Sequence, residues 1–279
     1  GEGFAGATLS NEARFGVKWK AAYQEVEQAS NHLVSQDPGY RLLAEIKPEL
    51  AVSSGIGFGF DYKIAMQEGK LVAHFKGSLV LGAGGSGGIA AELNAEQIWE
   101  LVKFVRWSLE QSDFRFLGWI DESAFKHINA VLRAFVITEV SFDKIVSQGA
   151  ERIEALWADL TKSNLRIRDV AEAVINNNDL NQLTPLAKSD LLEVLMENRS
   201  GFLNFDHPNP ELIDLASVMI LETITRHREM VETFKRIGNG GRKGTFYDFQ
   251  TSYSELVVRR LFHSAQSQRT EQWLSGLLS

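Results

Sequence analysis

Without a cysteine in its 279 residues, this chain must draw any chemistry from carboxylates, imidazoles, hydroxyls or backbone groups. Four carboxylates have surroundings that suit acid–base work. Glu45, in YRLLAEI, lies among Leu42, Leu43 and Ile46, an apolar setting of the kind that raises a carboxyl pKa by desolvation. Glu49 follows four residues later, close to the same helix face if the turn continues past Pro48. Asp61 stands between Phe60 and Tyr62 in a strand-like run. Glu92 comes directly after the glycine-rich stretch KGSLVLGAGGSGGIAAEL. It can point into a cleft roofed by bare backbone, or supply charge ahead of a helix start. Such residues work as a pair when one keeps its proton and acts as acid while the other stays ionised. For each, a solvated side chain at a helix end or on a wet strand face is the ordinary alternative.

The other chemistry-bearing patterns are weaker. Gly82, Gly84 and Gly87 fall in the spacing G-x-G-x-x-G. A dinucleotide loop, however, needs strand, tight turn and helix in immediate succession, with an acidic residue about twenty positions on. Here the apolar run before the glycines pairs backwards into a hairpin, and IAAEL intervenes before the next helix starts. No G-K-[ST] follows, so a Walker loop is excluded. The glycines read as close backbone approach or curvature in a sheet. The six histidines, His32, His74, His127, His207, His227 and His263, are scattered without ligand spacing, and no metal or cofactor is expected. Ser86, in GSGG, is not flanked as a nucleophile elbow. Trp99, Trp107, Trp119 and Trp157 suit either sugar stacking or a core.

The elements that must position these residues come in three blocks. Ser10 or Asn11 can cap a helix through ARFGVKWKAAYQEVEQASNHLV, with Phe15, Trp19, Tyr23 and Val26 on one stripe. Arg41–Ile46 reads as a short helix ended by Pro48. Alternating runs such as FDYKIAM and KLVAHFKG then predict an antiparallel meander over about residues 53–93, with a hairpin turn at Glu68–Gly69. Asn94 and Gln97 form a capping-box start, with Leu93 as a possible staple. Beyond them Ile98, Leu101, Val102, Val105 and Leu109 recur at helical spacing. Almost everything later reads helical, with Asp121–Glu122 as helix-start chemistry and a last helix from about Phe249 to Phe262. The fold class is α+β: a mainly α-helical body, 94–279, carrying one small antiparallel meander, with N-terminal helices in 1–50. The whole of 1–279 reads as one domain, and its Gly/Ala-rich start as a cut inside a longer chain.

The run GFGFDYKIAMQEGKLVAHFKGSLVLGAGGSGGIAAELNAEQIWELVKFVRWSLEQSDFRFLGWIDESAF resembles a region recurring in large antibacterial effectors of the bacterial type VI secretion system. It combines a G-F-x-F hairpin, a glycine-rich strand, a Trp/Phe-containing helix and a DFRFLxxIDExAF segment. LAKSDLLEVLMENRSGF and SVMILETITRHREMVETFKRIGNGG are similar to the C-terminal helices of such proteins. One branch of the family joins an amidase to a lysozyme-like domain. The resemblance therefore implies a lysozyme-like fold and cleavage of peptidoglycan glycan strands. Delivery would be by the secretion machine into the target-cell periplasm, with a spike or carrier protein and an immunity protein as partners. Under that reading Glu45 or Glu49 is the general acid and Asp61 the partner carboxylate, with Glu92 as a further candidate, an acid on a helix facing a partner on a sheet.

Composition sets limits on this. With 44% hydrophobic and 23% charged residues the chain is ordinary for a globular protein. A net charge of −7 lacks the basic footprint of a nucleic-acid binder and disfavours adhesion to anionic polymers. No apolar run is long enough for a spanning helix, so stable membrane insertion is not expected. The segment RHREMVETFKRIGNGGRKG is locally basic. Two alternatives to the enzyme stand: a non-catalytic docking domain that attaches an effector to its carrier, and a membrane-damaging domain acting through amphipathic helices.

Overall fold

A computed structural model describes residues 15–20, 40–46, 60–77, 88–115, 117–138, 140–160, 164–197, 210–240 and 242–278. Within these the chain is α+β, mainly helical with small antiparallel sheets. The described residues divide into two compact units. One holds those up to Val105 together with Leu117–Phe125; the other holds those of 106–115 and everything from Lys126 onward.

The first unit corrects the expectation of N-terminal helices. Phe15–Lys20 is a strand (β1), and it pairs antiparallel with the strand Tyr40–Ile46 (β2). Phe15, Val17 and Trp19 alternate with Gly16, Lys18 and Lys20, which is a period of two as well as part of a helical stripe. Tyr40, Leu42, Ala44 and Ile46 alternate in the same way. Each segment alone is ambiguous, and the pairing between them decides. The register shifts between Val17 and Lys18, as a bulge does.

The meander forms largely as expected. Phe60–Gln67 (β3), Lys70–Gly77 (β4) and Gly88–Glu92 (β5) make a three-stranded antiparallel sheet in the order β3-β4-β5. Glu68 and Gly69 join β3 to β4 with φ of 50° and 79°, the two positive values that a tight hairpin turn requires. Gly82, Gly84 and Gly87 lie outside the described residues, as does Ser86. From Gly88 the chain is strand, where a dinucleotide site would need a helix. Ile64 donates its N–H to the Trp119 carbonyl at 2.8 Å, and Asp121 donates back to Ile64 at 2.8 Å, so the 117–121 segment lies along the edge of β3.

Helix Ala95–Gln111 (α1) starts at the expected box. The Gln97 N–H donates to Asn94 Oδ1 at 2.9 Å, and the Asn94 N–H donates to Gln97 Oε1 at 3.0 Å. Its stripe of Ile98, Leu101, Val102, Val105 and Leu109 is buried. Helix Glu122–Ile137 (α2) begins at the expected start signal.

The second unit is all helix. It contains Phe142–Val146 (α3), Ala150–Leu160 (α4), Asn164–Asn176 (α5), Pro185–Glu197 (α6), Pro210–Glu222 (α7), His227–Phe234 (α8), Phe246–Tyr253 (α9) and Ser267–Leu278 (α10). Two helices that read as continuous are broken. Gly149, at φ 76°, separates α3 from α4. The β-branched run Thr223–Ile224–Thr225 separates α7 from α8, and there the Thr223 hydroxyl donates to the Ile220 carbonyl at 2.7 Å. The last expected helix begins three residues earlier than read, and its final turn widens to a π turn over Ser254–Val258. α10 then adds a helix whose Trp273 is buried and donates its indole N–H to the Ile224 carbonyl at 3.0 Å.

Candidate carboxylate–guanidinium site

Glu45 sits in β2 opposite Gly16, not on a helix, and Asp61 sits in β3 opposite Lys76, in the other sheet. The expected arrangement of a helix-borne acid over a sheet carboxylate is therefore corrected at its first member. The physical reason is the strand pairing of β1 with β2. Glu49 lies outside the described residues. Glu92, the last residue of β5, is exposed and forms an ion pair with Lys70 at 2.9 Å. Of these carboxylates only the Glu92 side chain has its contacts described, and β2, which carries Glu45, lies against β5, which Glu92 ends.

The helical unit does bring carboxylates together, around Arg133 of α2. Arg133 Nη1 donates to Asp190 Oδ2 of α6 at 2.6 Å, and Nη2 donates to Glu154 Oε1 of α4 at 3.3 Å. The two carboxylates differ in setting. The Asp190 side chain is 11% exposed and the Glu154 side chain 57%, so one is enclosed and the other faces water. Three residues on from Glu154, on the same helix face, the Trp157 ring lies 4.6 Å from the guanidinium carbon, a cation–π contact. Arg133 Nε is buried and meets no acceptor among the described residues. A buried donor without a partner is costly.

Burial pushes the Asp190 carboxyl up to about 6; Arg133 pulls the other way, while the charges of Glu193 and Glu154 add to the rise. An acid in an apolar setting keeps its proton because its charged form has lost solvation. His127, one and a half turns before Arg133 on α2, is also buried. Burial lowers its pKa, and the charge of Glu154 offsets part of that. The arrangement can therefore donate a proton from Asp190 near neutral pH, with the water-facing Glu154 on the same guanidinium.

Asp190 was missed as a candidate, yet its sequence carries a signal. In PLAKSDLLEVLME, Leu186 and Ala187 precede it by four and three residues, and Val194 follows by four. A carboxylate thus sits in the middle of an apolar helical arc. Arg133, in AVLRAFVI, has the same kind of setting. Glu154 has no such mark; its partner is 21 residues away and only packing brings the two together.

The remaining expected residues fall elsewhere. Trp119 packs on Phe104 with ring centroids 5.0 Å apart, and Trp99 and Trp107 are half-buried. His74 is in β4, His227 opens α8, and His263 is exposed; His32 and His207 lie outside the described residues. Among the described residues no group of His, Asp and Glu is placed to hold a metal, and no helix is long and apolar enough to cross a membrane. Compared with protein-family models, with curated proteins and with solved structures, the chain matches none.

Proposed function

We propose that this chain is a lysozyme-like glycoside hydrolase that cuts peptidoglycan glycan strands as a domain of a type VI secretion effector, with Asp190 as general acid and Glu154 as its partner. The observation that carries the reading is the unequal pair on Arg133, a buried carboxyl held up to about 6 beside a water-facing one. Glycoside hydrolysis asks for that inequality. Asp190 gives its proton to the leaving glycosidic oxygen as the C–O bond breaks, and Arg133 compensates the charge it acquires. Glu154 meets the developing oxocarbenium character or takes a proton from the attacking water. The water oxygen joins the anomeric carbon. Where Glu154 has taken the water's proton it releases it to solvent and Asp190 regains one from solvent; otherwise Asp190 takes that proton itself. Trp157 offers part of an aromatic face of the kind that packs on a sugar ring. The secretion route, the periplasmic site of action, and the carrier and immunity partners rest on the sequence resemblance alone.

The test is digestion of purified peptidoglycan by the folded chain, with products read by mass spectrometry. Asp190→Asn is expected to lower turnover by roughly 10²–10⁴-fold, the range for a general acid, and Glu154→Gln to lower it as well. Glu45→Gln and Asp61→Asn run beside them. Loss of cleavage in those two with Asp190→Asn still active would move the site to the strands. Intact glycan with the unmodified chain would overturn the hydrolase and favour the docking reading.

A further inference from the structure

A second surface of the helical unit shares no residue with the Arg133 cluster. Residues 233–247, TFKRIGNGGRKGTFY, carry four basic side chains and no acidic one, in a chain whose net charge is −7. Two of the four are neutralised from beneath: Glu232 accepts from Arg236 Nη1 at 3.0 Å and forms an ion pair with Lys243 Nζ at 2.9 Å. Lys235 and Arg242 have no carboxylate within ion-pair distance among the described residues, and Arg242 is exposed. Immediately after them Phe246 and Tyr247 are 60% and 73% exposed. Large apolar rings side by side in water are an unusual feature to leave uncovered.

The loop that presents them is built rather than slack. Gly238 and Gly240 adopt φ of 77° and 56°, conformations that glycine takes without strain. The Gly244 N–H and the Asn239 side-chain amide both donate to the Lys235 carbonyl, at 2.9 and 3.1 Å, closing the loop on itself. A Cβ at Gly244 would stand 2.5 Å from that carbonyl oxygen and from Asn239 Nδ2, and 2.6 Å from Asp248 Oδ2. Thr245 and Asp248 then close a capping box at the start of α9. Phe246 stacks on Phe249 at 5.6 Å, Phe249 on Tyr253 at 5.8 Å, and the fully buried Phe234 meets both Phe249 and Tyr253 edge-on. The exposed ring is thereby rooted in the core.

We infer that this loop docks the chain on an anionic phospholipid surface, with Lys235 and Arg242 on the headgroup phosphates and Phe246 and Tyr247 in the interfacial layer. The choice of occupant follows from charge and size. The cations call for an anion, and the patch belongs to a single loop, whereas each side of a stable protein interface contributes roughly 20–30 residues. Adjacent aromatics just after a pair of basic residues fit the headgroup boundary, where amphipathic rings and basic side chains are both favoured. Asp248, the carboxylate beside the patch, is engaged by the Thr245 N–H and hydroxyl, and at physiological salt charges more than about 8 Å away are largely screened. This docking is peripheral and independent of the hydrolase reading.

The experiment is co-sedimentation of the full chain with vesicles of phosphatidylglycerol and phosphatidylcholine, against phosphatidylcholine alone. Binding to the anionic vesicles only, weakening with added salt, is expected. Arg242→Glu should reduce it by about tenfold, and Phe246→Ser with Tyr247→Ser by a similar factor, with circular dichroism checking that α9 stays folded, since Phe246 also stacks on Phe249. Gly244→Ala, which forces the loop open, should reduce it too. Equal binding to both vesicle types, no binding to either, or binding that these exposed substitutions leave unchanged overturns the inference. Retention of the chain on immobilised polyglutamate without vesicle binding overturns it in favour of an acidic protein partner.

Discussion

Arg106 and Arg133 each hold two carboxylates in the same helical unit, and the difference between them separates a fastening from a candidate for chemistry. Arg106, near the end of α1, donates through Nη1 and Nη2 to Glu229 of α8, and its Nε pairs with Glu110 at 3.0 Å. Lys188 of α6 joins the same carboxylate, donating to Glu229 Oε1 at 2.7 Å and to the Thr223 carbonyl at 3.0 Å. Two cations thus face two anions, and the side chains of Lys188 and Glu229 are wholly buried. Burial works to raise the Glu229 carboxyl, but Lys188 and Arg106 together outweigh it and hold it below its ordinary value. Around Arg133 one cation serves two carboxylates, a third adds its charge, one donor stays unmatched, and the balance leaves Asp190 raised. The closed cluster holds Glu229 ionised, although burial pulls Lys188 within it down to about 8; the unbalanced one leaves its buried carboxyl, Asp190, raised.

The largest expected effect breaks the closed side of that comparison. Glu229→Gln would leave Arg106 and Lys188 buried without the charge that holds them. Removing one member of a buried ion pair costs about 3–5 kcal/mol, so the urea midpoint should fall steeply or the chain should fail to fold. A loss under about 1 kcal/mol would mean that solvent reaches the cluster and that the contrast with Arg133 is not real.

The same two clusters show what the sequence carries and what it does not. The meander, its Glu68–Gly69 turn and the Asn94 cap were legible because each is encoded within a few residues. The strands at Phe15–Lys20 and Tyr40–Ile46 were not, since each depends on a partner some twenty-five residues away. Lys188 and Asp190 could have been marked from their places in the apolar arcs of α6. Glu229 could not, because HREMVETF reads as a solvated helix and only the docking of α8 against α6 buries it. Carboxylates chosen by their neighbours in sequence, Glu45 and Asp61, proved to lie on separate sheets. The pair that shares a guanidinium is spaced over 36 residues, 154 to 190, across two helices.

A middle-sized effect sharpens the open side of the comparison. Asp190 holds its proton to about pH 6 in the folded chain, against an ordinary value of 3.8. Between those values the folded state binds a proton that the unfolded state has released. Stability is therefore greatest below about pH 3.8 as far as this group is concerned, and it declines as pH rises through about 6, by about 3 kcal/mol in total. Asp190→Asn should remove that slope, which denaturation midpoints taken across the window would show. Cleavage, if Asp190 is the acid, should fall along the same limb, because only the protonated carboxyl can donate. A pH–rate profile flat through 6 alongside the expected stability slope would leave Asp190 a structural residue and take the acid role from it.

The smallest expected effect is at Glu92, the one sequence-chosen carboxylate whose contacts are described. It ends β5 and reaches back across the sheet to Lys70 at the start of β4, and both side chains are more than half exposed, 58% and 60%. Exposed pairs of this kind contribute little because water screens the attraction and two long side chains must be ordered. Glu92→Gln should lower stability by no more than a few tenths of a kcal/mol and, under the proposed hydrolase reading, leave glycan cleavage unchanged. A large loss of cleavage with normal stability would instead put the chemistry at the end of β5, and would make Arg133 the second fastening rather than the site.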